Sequence, residues 1–468
     1  MTQGEIYEIS ERNEAHHPHR WRILAFLGVA QLMLILDITV VAIALPHIES
    51  DLGLGRDAVT WTVSAYTLTF GGLMLLGGRL ADMLGAKRIV VTGLLVFTTA
   101  SLVTGLAGSS AVLLGGRIGQ GIGAALLSPA ALSLVVSLFN GEERNKALGI
   151  WSALGGGGAA LGVLLGGLLT AGPGWPWVFF INVPFGLVIL VVLTGMLPKQ
   201  RASTSVAHLD VVGAVLATGS TAVLIYALIT AGDHGWLSAT TGWLVLLAVI
   251  GYIAFTARQK TARSPLMNLA LLGRRAVATG AFLIAMATAL MIAVFFLGTF
   301  YFQSARGYGA LHTGLLFLPV ALATMVGANL AGRVIARAGA RTVAVAGLAV
   351  AAVGMAVPAV SMNPITVAVG VSVTAAGTGV LFVVASATAL GQVDPAEAGI
   401  ASGIVSTFHE FGASLGAAVI SSVAAASLLG DTLTGFTHGF TLAAVAAGAG
   451  GLVAAALTPG ASDAVRRT

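Results

Sequence analysis

Residues 77–88 read GGRLADMLGAKR, and a reduced copy, GRVIARAGAR, returns at residues 332–341. Each copy sits between two long apolar runs. Gly78-Arg79 corresponds to Gly332-Arg333, and Gly85-Ala86-Lys87 to Gly339-Ala340-Arg341, across the same spacing. A charged turn used twice, in a chain otherwise nearly free of charge, predicts two related sets of membrane-spanning helices.

Composition sets the class. The chain has 468 residues, 57% of them hydrophobic and 9% charged. Its mean hydropathy is +0.95. A soluble globular chain carries about 25% charged residues, so this one lacks the polar surface to stay in water. The expected class is an all-α, multi-pass membrane protein whose main partner is the lipid bilayer. The absence of cysteine excludes disulfides, thiol catalysis and cysteine-based metal sites. The net charge of +5 does not imply nucleic acid, because basic residues gather on cytoplasmic loops of membrane proteins for topological reasons. Residues 1–21 read as a polar cytoplasmic tail without the apolar core of a signal peptide. His16, His17 and His19 in that tail read as incidental, so no metal and no cofactor are expected.

A span needs about 20 mostly apolar residues. That window selects 22–46, 59–78, 89–107, 111–138, 149–171, 177–197, 209–231, 242–257, 276–302, 312–331, 343–360, 364–390, 398–428 and 436–458. The count is about fourteen by this rule. With the amino terminus inside, all of the 23 basic residues except Arg56, Arg306 and the intramembrane Arg117 fall on inner segments. The positive-inside rule then puts both termini in the cytoplasm of a cell-membrane protein. The repeated turn follows the second and the tenth span. It divides the chain into a six-helix bundle at 22–197, a linker at 198–208, an inserted pair at 209–257, a cytoplasmic loop at 258–275, a second six-helix bundle at 276–458 and a tail at 459–468. Two such bundles with a site between them near the midplane form a known transporter plan.

Gly158, Gly162, Gly166 and Gly167 recur at short spacing on one span and predict close helix packing. They do not form a phosphate loop, for no GxxxxGK[ST] run follows a strand. ATP hydrolysis is therefore not expected, and active transport would draw on an ion gradient.

Ionisable residues inside spans mark functional pathways by default. Asp37 lies well inside the first span, Arg117 in the fourth, and His409 and Glu410 in the thirteenth. A carboxylate in low dielectric holds a proton more readily than one in water. Asp37 can therefore carry a proton or neutralise a cationic substrate; the alternative is a structural ion pair with Arg117. Glu410 and His409 are candidates for proton handling, and as neighbours they are expected to point to different sides of their helix. Trp61, Tyr66, Phe296, Phe408 and Phe411 are candidates to line a pocket for flat hydrophobic cations. Gly78, Arg79, Asp82, Gly85, Lys87 and Arg88 form a candidate conformational gate. Asp82 becomes Ala336 in the second copy, so the charged role belongs to the first. Asp82 and Arg79 are expected to hold the bundles together on the cytoplasmic side.

The pattern resembles the major facilitator superfamily, and within it the fourteen-span drug:proton antiporters of the QacA/EmrB type. GGRLADMLGAKR resembles motif A, LDITVVAIALP at 36–46 the first-helix motif, and RIGQGIGAA at 117–125 motif B. WPWVFFINVPFG at 175–186 and SPLMNLALLGRR at 264–275 are also characteristic of that group. The resemblance implies alternating access and efflux of hydrophobic, often cationic drugs or metabolites against protons. It gives Asp37 the protonation role and Arg117 the coupling role, with no obligatory protein partner. Two positions depart from the pattern: Val163 stands where motif C places a proline, and Ala42 where the first-helix motif usually has asparagine. The rival readings are an uptake symporter or facilitator for a small organic solute, and a membrane enzyme or lipid-handling protein. The second would need a polar catalytic cluster on an interfacial loop, and the outer loops are short and poor in such residues.

Overall fold

The computed structural model describes residues 19–139, 141–197, 209–263, 265–267, 269–391, 393, 398–424 and 433–458. The regular structure there is helical: α1 Arg20–Leu52, α2 Arg56–Leu84, α3 Ala86–Gly105, α4 Ser110–Leu138 and α5 Gly141–Ala171. Then come α6 Trp177–Phe180, α7 Asn182–Met196, α8 Val211–His234, α9 Ala239–Thr261 and α10 Leu269–Leu272. Last are α11 Arg275–Phe300, extended by a π turn at Tyr301–Ala305, α12 Ala310–Leu316, α13 Leu318–Ala338, α14 Ala340–Val360, α15 Pro364–Leu390, α16 Ala398–Val423 and α17 Thr434–Leu457. Among the described residues, 13 helical stretches are long and apolar enough to cross a membrane, and α5 adds the shorter apolar run Leu161–Ala171.

Both copies of the charged turn fold alike. α2 passes into α3 through Gly85 alone, and α13 into α14 through Gly339 alone. Their φ values are +92° and +79°. A side chain at either position would hold the backbone in a region that L-residues rarely enter. The repeat legible in the sequence is thus a one-residue reversal that only glycine makes without strain.

Elsewhere proline and length adjust the expected spans. The 312–331 span is two helices, α12 and α13, which meet at Phe317 ahead of Pro319. Likewise 177–197 is α6 followed by α7, with Pro184 in the first turn of α7. A proline early in a helix lacks only an N–H that would be unpaired there anyway. α5 runs as helix through Val163, which is buried.

Helix neighbours are set by small residues and aromatic clusters. Among α1–α7, the close pairs include α1 with α5, α2 with α4, α3 with α4, and α3 with α7. Among α11–α17 they include α11 with α15 and α16, α13 with α15, and α14 with α15 and α17. α2 meets α16, α5 meets α12 and α13, and α1 meets α11. The π turn serves the last contact: Gln303 Nε2 donates to the Ile43 carbonyl at 2.8 Å.

α8 and α9 pair with each other, and α8 lies on both α2 and α16. Asp210 pins this pair where the chain enters it. Its Oδ1 accepts from the Gly213 amide at 3.0 Å and Arg258 Nε at 2.8 Å, and its Oδ2 from Gln259 Nε2 at 2.7 Å. The Gln259 side chain in turn accepts from the Met267 amide at 3.0 Å, tying in the loop beyond α9. Burial opposes the charge on Asp210, but the Arg258, Gly213 and Gln259 donors together hold its carboxyl below the usual range.

Two outcomes follow for the purified protein in detergent. Gly85→Ala and Gly339→Ala should each lose about 1–3 kcal/mol of stability, read as a lowered midpoint of thermal unfolding. Asp210→Asn should lower the midpoint at neutral pH. The native carboxyl titrates below its unfolded value of about 3.9, so its stabilisation is full above that pH and fades as pH falls through the native value. The midpoints of wild type and variant should therefore converge in acid.

Candidate functional site

Asp37 sits inside a cage built by six helices. α1 supplies Asp37, α3 Ser101, α4 Arg117 and Gln120, and α7 Asn182. α2 contributes the Thr62 carbonyl and Tyr66, and α6 contributes Phe179. Arg117 Nη1 donates to Asp37 Oδ2. Gln120 Nε2 donates to Asp37 Oδ1 at 2.8 Å and to Ser101 Oγ at 2.9 Å. Asn182 Nδ2 approaches Asp37 Oδ1 at 3.4 Å. Arg117 Nε donates to the Thr62 carbonyl at 2.8 Å, and Nη1 donates also to Gln120 Oε1 at 3.0 Å. The Asp37 and Arg117 side chains are 0% and 1% exposed.

Aromatic rings close the cage. The Arg117 guanidinium lies 4.4 Å from the Tyr66 ring centroid and 6.0 Å from that of Phe179. Such contacts favour a desolvated cation. The Tyr66 hydroxyl donates to the Leu34 carbonyl at 3.2 Å, which fixes the ring. Glycines of α4 allow the approach: a Cβ at Gly121 would lie 2.7 Å from the Tyr66 carbonyl, and one at Gly123 2.5 Å from the Phe97 amide. Two charges out of water are tolerated only when their remaining hydrogen-bonding capacity is met. Here the Gln120 and Asn182 amides serve Asp37, and the Thr62 carbonyl and Gln120 Oε1 serve Arg117.

A cavity of about 250 Å³ reaches the cage between α1, α5 and α7. Its lining is apolar, including Leu32, Leu36, Val40, Leu165 and Ile181, with Asp37 and Asn182 on its wall. Val29, Leu161 and Phe185 also line it and are exposed, which marks its mouth.

The other candidates separate. Glu410 is buried at the contact of α16 with α2, and His409 beside it is half-exposed. They do not simply diverge, for His409 Nδ1 lies 3.1 Å from Glu410 Oε1. Tyr66 and Phe296 are buried in packed clusters instead of lining an open pocket. Trp61 and Phe411 are half-buried against Ile225 and Ile229 of α8. Phe408 is half-buried between two clusters. Among the gate residues, Arg79, Asp82 and Arg88 are exposed. Lys87 donates to the carbonyls of Thr194 and Leu197 at 2.9 and 2.5 Å, so it ties α3 to the end of α7. Cations are favoured at helix carboxyl ends. Gly158, Gly162 and Gly166 face α1, and Gly167 faces Ala310 of α12.

Three residues gain roles that the sequence reading did not assign. Gln120 lies three residues from Arg117, the spacing that puts side chains on one helix face. Asn182 is a lone amide in an apolar run. Arg56 looked like a loop residue, yet it is buried in the first turn of α2. It donates to the carbonyls of Ile229 on α8 and Ser421 on α16, at 2.9 and 3.5 Å.

Residues 27–417 match the family described as the Major Facilitator Superfamily. The chain is 37% identical to the puromycin resistance protein pur8 of Streptomyces alboniger, over 91% of this chain and 88% of that one. It is 34% identical to the cephamycin export protein CmcT of Amycolatopsis lactamdurans, over 87% and 86% respectively. It is 33% identical to the lincomycin resistance protein of Streptomyces lincolnensis, over 94% and 92%. In fold it is similar to a crystal structure of a bacterial homologue of the human lysosomal transporter Spinster, inward-facing and unoccupied. The TM-score is 0.62 at 17% identity, covering 94% of this chain and 96% of that one.

The cage makes a stability prediction that needs no transport assay. Asp37→Asn strands the Arg117 charge and should cost about 3–5 kcal/mol. Adding Arg117→Met to that variant should restore most of the loss, since a neutral pair of similar volume carries no buried charge. Thermal unfolding of the single and double variants in detergent measures both.

Proposed function

The chain belongs to the major facilitator superfamily, and from that premise we propose that it exports hydrophobic, cationic drugs or related metabolites in exchange for protons, by alternating access. The observation that carries the reading is the Asp37 cage: a buried carboxylate compensated by Arg117, on a residue that borders an apolar cavity. A carboxylate released from its arginine partner can take a proton, and one that has lost a proton can hold a cation. Exchange follows if the two events exclude each other. Relatives named for resistance to or export of puromycin, cephamycin and lincomycin support an exported drug-like solute.

In this reading residues 22–197 and 276–458 form two bundles that rock about the α2–α16 and α5–α12 contacts, with 209–257 inserted between them. Both termini face the cytoplasm, as the basic residues favour. Arg79 and Asp82, on the termini-bearing side, form the gate that closes there when the carrier opens outward.

The test is proton release from acid-loaded inverted vesicles on addition of ethidium, a flat hydrophobic cation. Wild type should release protons, and Asp37→Asn should fall at least about tenfold, within the range for loss of a proton-transfer group. Full coupling in Asp37→Asn would remove Asp37 from the mechanism. A wild type silent towards ethidium and other hydrophobic cations would overturn the substrate class.

A further inference from the structure

Glu410 and Asp37 are both buried carboxylates, and their surroundings differ. Asp37 has donors on both oxygens, from Arg117, Gln120 and Asn182. Glu410 has one bonded oxygen: Oε1 lies 3.1 Å from His409 Nδ1, while the buried Oε2 has no hydrogen-bond partner among the described residues. The side chains of His409 and Glu410 are 35% and 6% exposed. The pair therefore spans the boundary between open and packed space, with the imidazole on the open side.

The neighbourhood of Glu410 is poor in other ionisable groups. On α2 the residue beside it is Gly71, where a Cβ would lie 2.5 Å from Glu410 Cβ. Tyr66 lies one and a half turns away on the same helix, with its hydroxyl on the Leu34 carbonyl. α15 presents Phe382, whose ring centroid is 5.9 Å from that of His409. Neither α15 nor α11 beyond Arg275 holds an ionisable side chain apart from the buried Tyr301 in the π turn that follows. α8 meets α2 at Gly72 through Thr218. Its titratable residues Tyr226, Asp233 and His234 come eight or more residues later, which is about 12 Å or more along a helix. On α17, His438 lies in the first turn, which follows the far end of α16.

We propose that Glu410 is a second proton site, placed at the contact of α2 with α16, and that His409 is the shuttle that loads and unloads it. The inference rests on the proton-coupled reading above. Starting with Glu410 ionised and the imidazole protonated on Nδ1, Nε2 takes a proton from water. The Nδ1 proton then passes to Glu410 Oε1. This leaves a neutral acid and a neutral imidazole carrying its proton on Nε2. Unloading reverses both transfers and regenerates the first tautomer, so charge and protons balance. An imidazole suits the task because its ordinary titration falls near neutral pH and its two nitrogens can face different media. Loading Glu410 neutralises a charge on the α2–α16 contact itself, whereas Asp37 acts within the α1–α7 cage.

The experiment uses the full chain in acid-loaded proteoliposomes with ethidium as probe, from about pH 5.5 to 8. His409→Ala should slow ethidium-coupled proton release about tenfold, in line with loss of one acid–base group. Added imidazole should restore most of that rate, because it can occupy the vacated site. His409→Gln fills the site and keeps an N–H but cannot relay a proton, so it should be equally slow and not rescued. Glu410→Gln should be slow and indifferent to imidazole. A wild-type rate in His409→Gln, or a slow His409→Ala that imidazole leaves unchanged, would overturn the shuttle. Wild type that moves ethidium with no proton release would overturn the proton-coupled reading and this one with it. Normal coupling with unaffected His409 variants would overturn this one alone.

Discussion

The buried pair of Asp37 and Arg117 constrains everything around it. An ion pair taken out of water is stable only if its geometry is good and its spare donors and acceptors are met. Meeting them requires groups from α1, α2, α3, α4 and α7 at one depth. That requirement explains the small residues of α4, since Gly121 and Gly123 let α2 and α3 come close enough to deliver the Thr62 carbonyl and Ser101. It also explains why Tyr66 is pinned to the Leu34 carbonyl. A freely rotating ring would leave one face of the guanidinium without its aromatic contact.

The contacts that join α1–α7 to α11–α17 have a different chemistry. Along α2 and α16 they are small hydroxyls: Thr60 with Ser421, and Ser64 and Thr67 with Ser414. Along α5 and α12 they are glycines, with Gly167 against Ala310 and Gly314 against the Val163 carbonyl. Beside the hydroxyls, Glu410 packs on Gly71 and the Arg56 guanidinium reaches the Ser421 carbonyl. Hydroxyls can exchange partners at low cost and glycine surfaces present few knobs, so such contacts can slide or part. The hydroxyl and glycine contacts carry no charge, whereas the cage is built on a buried ion pair.

Much of this was legible in the sequence, for physical reasons that differ by element. The repeated turn could be read because only glycine makes a one-residue reversal between two helices, so Gly85 and Gly339 stand at matching positions. Asp37 and Arg117 stood out because charge inside a span is rare. Gln120 and Asn182 are neutral amides that raise no such alarm, and their role depends on which faces of α4 and α7 turn inward. The breaks at Phe317 and Ile181 were hidden because hydropathy sums over a window and does not register a helix that stops and restarts. Aromatic side chains were the least legible. Tyr66 and Phe296 have the composition of a pocket wall, but packing decides whether a ring faces a cavity or a neighbour.

Arg56 reads as loop charge in the sequence, yet it is a buried tie between three helices. Its guanidinium joins α2 to the Ile229 carbonyl on α8 and the Ser421 carbonyl on α16. A buried guanidinium cannot abandon carbonyl acceptors without replacing them. If α2 moves against α16, either α8 travels with one of them or Arg56 finds new acceptors. Ile225 and Ile229 pack with Leu68 of α2 and Ala418 of α16 alike, so the apolar contacts impose the same choice. α8 is therefore packed as part of the α2–α16 contact. Asp210 holds its other end to Arg258, Gln259 and, through Gln259, to the loop that leads into α11. α8 and α9 are thus held at one end to the α2–α16 contact and at the other to the loop before α11.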